Sequence, residues 1–257
     1  MILNYKAIQV YFEDEGEGEV VLLLHGFLEN SNMWESLKPE LLKSHRVISV
    51  DLLGHGQTGC LGYVHPMPLM AEAVQAVLSE LKVEHYAVIG HSMGGYVALA
   101  LAEAHPKAIK GLCLLNSTFE ADDEARIQIR KRANAMAQRN YEALVRMSFI
   151  NLFSAESIKT YEAEIGAGLT EALKTPIQGY MAAQLGMAQR EDKFEFFKGL
   201  EAKKLIVTGS KDPVVNAKLL AEKIEDTPII LKQLNCGHMS YIEKSSDLTY
   251  IINRFNE

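Results

Sequence analysis

The stretch "YAVIGHSMGGYVALALAEAHP", Tyr86 to Pro106, decides how this chain is read. Apolar residues run into a Gly90-His91-Ser92-Met93-Gly94-Gly95 knot, and an apolar run of helical character follows at once. A short continuous apolar run is the pattern of a strand covered on both faces. Gly90, Ser92 and Gly94 form a G-x-S-x-G match. Such a match needs a very sharp strand-to-helix turn, because the glycines on either side remove side chains that would collide there. A serine raised on that turn opens a helix, so the Met93 N–H and the helix dipole face any negative charge that forms beside it. Two readings stand open on this motif alone: an ordinary helix-capping serine, or a nucleophile.

Outward from this seam the same rhythm repeats. "EVVLLLHG", "RVISVDLLGHG", "IKGLCLLNS", "KKLIVTGSKD" and "PIILKQLNCGH" are further short apolar runs. Helical patterns fall at Met67 to Leu81, Ser92 to Ala104, Val214 to Ile224 and Ser246 to Phe255. Alternation of this kind predicts an α/β fold with a mostly parallel central sheet flanked by helices. "YKAIQVYFED" alternates instead, as an antiparallel edge strand or hairpin does. The rhythm stops between Thr118 and Asp192. A charged run, "EADDEARIQIRKR", leads into helical patterns at Tyr141 to Phe153, Ser157 to Leu173 and Thr175 to Met187. The expected division is a core of residues 1–117 and 193–257 with a helical insertion at 118–192.

The chain has 257 residues, 48% hydrophobic and 23% charged, enough to bury one large core. Its formal charge of −7 gives no reason to expect nucleic acid or an anionic membrane as partner. Cys60, Cys113 and Cys236 are widely spaced, with no CxxC, which argues against a disulfide framework or zinc site and for reduced thiols in the cytoplasm. The first twenty residues lack a basic segment followed by a long apolar one, so no signal peptide is expected. No apolar run near the start is long enough to span a bilayer.

In open parallel sheets, ligand sites gather at the carboxyl ends of the strands. The polar residues expected there are His25, Asp51, Ser92, Asn116, Asp212 and His238. A serine hydroxyl needs a base within hydrogen-bond reach, and the base needs an orienting acid. His238 in "NCGH" and Asp212 in "GSKDP" follow the last two strands, which gives the chain order serine, acid, histidine.

On "HGFLENSNMW", "DLLGHGQT", "GHSMGGYVALA", "GSKDPVV" and "CGHMSYIE", nearly the whole chain resembles the α/β-hydrolase fold family, in its serine-nucleophile, cap-bearing, esterase-like form. The resemblance implies Ser92 as nucleophile, His238 as general base and then acid, and Asp212 as orienting carboxylate. It implies an oxyanion hole from the backbone N–H groups of Phe27 and Met93, and a cap built from the inserted helices. It implies no metal or organic cofactor and a small-molecule ester or related acyl substrate. Carboxylic-ester hydrolysis through an acyl-serine is the first expectation. Triad-bearing relatives that act as C–C hydrolases, lactonases, perhydrolases or the menaquinone-pathway synthase are the second, and a non-catalytic ligand-binding member is the third. Dehalogenases and epoxide hydrolases are disfavoured, since they need a carboxylate where Ser92 stands.

His25, His55 and Asp51 read as residues that shape loops, and Asn116, an amide, cannot act as the triad acid. Cys236 reads as packing. Met147, Phe149, Phe153, Met181, Leu185 and Met187 read as core more readily than as pocket roof. Arg126, Arg130, Lys131 and Arg132 read as a solvated helix face; facing inward, they would suit an acidic substrate.

Overall fold

A computed structural model describes residues 1–257. One eight-stranded sheet runs through it in the order β1-β2-β4-β3-β5-β6-β7-β8. Its strands are β1 (Ile2–Tyr5), β2 (Ile8–Glu15), β3 (Glu19–Leu24), β4 (His45–Val50), β5 (Tyr86–His91), β6 (Ile109–Leu115), β7 (Lys203–Gly209) and β8 (Ile230–Leu234). The alternating N-terminal segment forms the antiparallel β1–β2 hairpin, and β2 pairs antiparallel with β4. From β4 to β8 every pairing is parallel. The apolar runs of β3 and β5 are buried because helices cover both faces of the sheet centre. Leu22, Leu24 and Val88 pack into one core, while Val21, Leu23 and Ile89 pack into the other. Alternate residues of a strand point to opposite faces, which is why these runs are continuous rather than alternating.

The Met93–Ala104 helix follows β5 directly and is buried along nearly its whole length. A helix apolar on every side from Met93 to Ala102 belongs in an interior. Beside it runs the Met67–Glu80 helix.

Two details depart from expectation. β8 is half exposed rather than covered, with Ile230 56% exposed, because it closes the sheet and has a neighbour on one side only. The helix expected from Val214 begins at Ala217. The Val214 and Val215 N–H groups are committed to Asp212, and Asn216 caps the helix by accepting from Lys218 and Leu219. The charged run after β6 is itself a helix, Glu124–Ala137, capped by Asp123. Between β6 and β7, residues 118–192 hold five helices and no strand. No helix is long and apolar enough to cross a membrane.

Candidate active site

Ser92 sits between β5 and the Met93–Ala104 helix with φ 49° and ψ −115°. A positive φ is costly for a residue bearing a Cβ and persists only where the surroundings enforce it. Here they do. A Cβ on Gly90 would strike the Gly94 carbonyl, and one on Gly94 would strike the Leu24 carbonyl of β3. The glycines let helix and sheet approach until the turn between them has no other course. The Ser117 hydroxyl donates to the Ser92 carbonyl at 2.7 Å, and the Ser92 N–H donates to Leu115 at 2.9 Å.

His238 lies on the loop after β8, its N–H donating to the Leu152 carbonyl at 2.8 Å. Its Nε2 is 2.9 Å from Ser92 Oγ, and its Nδ1 is 3.0 and 2.9 Å from the two Asp212 oxygens. Asp212, in the loop after β7, accepts from Val214 and Val215 N–H on Oδ1 and from Asn116 Nδ2 on Oδ2. Burial alone would raise the Asp212 carboxyl. The facing His238 and the donors from His238, Asn116 and Val215 outweigh it and hold the carboxyl below its usual range. An ionised Asp212 fixes His238 with its hydrogen on Nδ1, leaving the Nε2 lone pair directed at Ser92 Oγ.

The turn after β3 is fixed by side chains of its own. Leu52 N–H donates to His25 Nε2 at 2.8 Å, so the His25 hydrogen is on Nδ1 and goes to the Gly26 carbonyl at 2.7 Å. That carbonyl and the Phe27 N–H belong to one trans peptide plane. Binding the carbonyl to His25 therefore turns the Phe27 N–H the opposite way. Asp51 accepts from Ser31 and Gln57 N–H, each at 2.8 Å, and so ties two loops at the same end of the sheet. His55 is fully buried and pushed down to about 3, chiefly by burial and by His25. Asn116, at φ 44°, gives its amide hydrogens to Asp212 and Gly237 and accepts from the Ser240 hydroxyl.

Ser92 and His238 open onto a cavity of about 190 Å³. Phe27, Leu28 and Val214 wall it from the sheet side, and Leu152 and Met187 come from the helical segment. Of the six apolar residues weighed from the sequence as roof, Met187 alone lines this cavity; Met147 is 50% exposed, and Phe149 and Phe153 are core. Met93 is core as well. The larger cleft of about 540 Å³ shares only the Leu28–Glu29 wall with it and contains neither Ser92 nor His238.

Arg126 and Arg130, expected in solvent, line the cavity; Lys131 and Arg132 are exposed. The helix carrying them packs on the Ile177–Ala188 helix, which turns Arg126 and Arg130, one helical turn apart, inward. Arg130 and Arg190 share the buried Asp122, at 2.5 and 2.7 Å, and Arg130 also donates to Gln184. Arg126 makes no ion pair; its guanidinium donates to the Val214 carbonyl at 3.3 Å. Arg126 thus brings an unpaired positive charge to the cavity wall, with Arg130, already paired with Asp122, beside it. Sequence reasoning missed this, and it missed Glu29, whose carboxylate is buried beside His91. The one signal in sequence was an acid inside the otherwise apolar and polar-neutral turn "HGFLEN".

A family model described as alpha/beta hydrolase fold matches residues 19–245. The chain belongs to that family. Uncharacterised proteins of Mycobacterium bovis and Mycobacterium tuberculosis are 32% identical over 45% of this chain but only 35% of their own length, so the chain spans about a third of these relatives in alignment. The (E)-2-((N-methylformamido)methylene)succinate hydrolase of Acinetobacter baylyi is 25% identical, with 81% of this chain and 78% of that protein aligned. Among solved structures, a malate-bound thermophilic esterase from Thermogutta terrifontis superposes with a TM-score of 0.90 at 27% identity, covering 96% of this chain and 93% of the other. This α/β-hydrolase chain therefore has esterase and related hydrolase neighbours.

Proposed function

We propose that the protein is a serine hydrolase that cleaves a carboxylic ester through an acyl-Ser92 intermediate. The observation carrying this reading is the unbroken chain Ser92 Oγ, His238 Nε2, His238 Nδ1, Asp212, every link at 2.9 to 3.0 Å. In the proposed cycle His238 takes the Ser92 proton as Oγ attacks the carbonyl carbon. Negative charge collects on the carbonyl oxygen, and the Phe27 and Met93 N–H groups receive it. The C–O bond to the alcohol breaks as the His238 proton passes to that oxygen. Water, deprotonated by His238, then attacks the acyl-serine, and the acid leaves as Oγ regains its proton. Residues 118–192 serve as the cap that closes the pocket. A cavity of about 190 Å³ is below the common range for drug-sized ligands and suits a short acyl group.

The test is Ser92→Ala with p-nitrophenyl butyrate and a fluorophosphonate probe. The variant is expected to fold, to lose turnover and to escape labelling. Undiminished hydrolysis, or labelling of Ser92→Ala at wild-type level, would refute the assignment.

A second reading draws support from Arg126 and Arg130: an acidic substrate, handled as an ester, as a lactone or by the C–C chemistry open to the same triad. The succinate in the Acinetobacter relative's name and the malate in the Thermogutta esterase are both dicarboxylates, which agrees with this reading. A mono-p-nitrophenyl ester of a dicarboxylic acid, compared with the neutral butyrate ester, separates the two.

A further inference from the structure

Beside Ser92, lining the same cavity, lies a second buried acid–imidazole pair. Glu29 and His91 are 6% and 1% exposed. Glu29 Oε2 is 2.8 Å from His91 Nδ1 and accepts the Gly26 N–H at 2.6 Å, while Tyr241 donates to Oε1 at 3.3 Å. The other ring nitrogen, His91 Nε2, is 3.1 Å from the main-chain carbonyl of His238. The His91 and His238 rings are 5.3 Å apart.

The proton count follows from these partners. A carboxylate oxygen and a carbonyl oxygen only accept, so each His91 nitrogen needs its own hydrogen to bond both. A neutral imidazole has one hydrogen and leaves a lone pair against one of the two oxygens. The imidazolium satisfies both, and the buried Glu29 carboxylate supplies the countercharge that makes a buried cation tolerable. Burial alone would push His91 down; Glu29, the His238 carbonyl and Asp212 outweigh it and raise it. Burial opposes the Glu29 charge in the same way, and His91, His25 and the Gly26 N–H hold its carboxyl low. The charged and titratable groups facing the pair are His25, Asp212, His238 and Tyr241.

We infer that Glu29 and His91 are positioning residues of the Ser92 site, a buried carboxylate–imidazolium bridge that ties the Gly26–Phe27 turn to the main chain of His238. One end holds the Gly26 N–H, next to the peptide whose N–H is the proposed oxyanion donor. The other end holds the backbone of the proposed base. The bridge fixes the spacing between donor and base, a distance neither loop sets alone. This inference rests on the reading of Ser92 as nucleophile.

The decisive experiment is Glu29→Gln, with Glu29→Asp as the conservative companion. Glutamine is isosteric and can still accept from Gly26, but it supplies no countercharge for a doubly protonated His91. Expected is a fall in kcat on p-nitrophenyl butyrate of about a hundredfold, the size of effect that a displaced catalytic group produces, with KM changed by less than about threefold. Glu29→Asp should recover a part of kcat. In the wild-type protein, nitrogen-15 NMR should find both His91 nitrogens protonated at neutral pH. A Glu29→Gln enzyme with wild-type kcat and only a lower Tm makes the pair structural and overturns the inference. A bare nitrogen on His91 overturns it whether or not the variant folds. The NMR result does not depend on the reaction, and Ser92→Ala tests the nucleophile separately, so the two failures are distinguishable.

Discussion

Replacing Asp212 by Asn removes one charge and almost no volume. Its two oxygens have separate duties: Oδ1 accepts from Val214 N–H at 2.8 Å and Val215 N–H at 3.0 Å, and Oδ2 accepts from Asn116 Nδ2 at 3.0 Å. The two backbone donors claim the remaining carbonyl oxygen of Asn. The new NH2 then takes the Oδ2 place, where it faces the Asn116 amide and His238 Nδ1 as a donor against donors. His238 relieves the conflict by carrying its hydrogen on Nε2, 2.9 Å from Ser92 Oγ. In that tautomer it cannot accept the serine proton. Loss of the correct tautomer costs about 10⁴-fold in kcat in enzymes of this chemistry, about 5.4 kcal/mol of transition-state stabilisation. The assay is steady-state hydrolysis of p-nitrophenyl butyrate, with circular dichroism and Tm as folding controls. A folded Asp212→Asn enzyme within tenfold of wild type would refute the assignment of Asp212 as the orienting acid.

Arg126→Leu should raise KM for a mono-p-nitrophenyl dicarboxylate about 10- to 100-fold, the worth of one charged hydrogen bond, and leave the neutral ester within threefold. Equal effects on both esters would remove the case for an acidic substrate. Gly94→Ala drives a methyl into the Leu24 carbonyl, so it should lower Tm and activity together; a variant with unchanged Tm would show that the elbow is not set by this contact. Stability should form a plateau in pH. His91 is raised by its partners, so its contribution is full below about 6.5 and is lost as pH climbs through its folded value. Asp212 and Glu29 are lowered, so theirs is full above about 4 and is lost as pH falls through their folded values. Thermal unfolding across pH 3 to 10 checks both limbs, and Glu29→Gln should flatten the alkaline one; an unchanged alkaline limb in that variant would count against the ion pair.

The sheet was legible because burial on both faces demands unbroken apolar runs, and "EVVLLL" or "YAVIGH" leaves a parallel strand as the simplest reading. The G-x-S-x-G turn was legible for a related reason: helix and strand approach closely there, and only glycine fits on both sides of Ser92. Asp212 and His238 were reachable from chain order, since a parallel sheet brings the ends of its strands together. The direction of the helices between β6 and β7 was not legible. The Glu124–Ala137 helix has charges around its circumference, so periodicity could not say that Arg126 and Arg130 face Ser92 while Lys131 and Arg132 face water. Packing against the Ile177–Ala188 helix decided that.

Glu29 and His91 are 62 residues apart, and nothing in either local sequence names the other. Sequence determined the elements and the turn chemistry, because those depend on neighbours along the chain. Tertiary structure decided which charges share a buried space, because pairing in a low-dielectric interior depends on distance, and distance there is set by the whole fold.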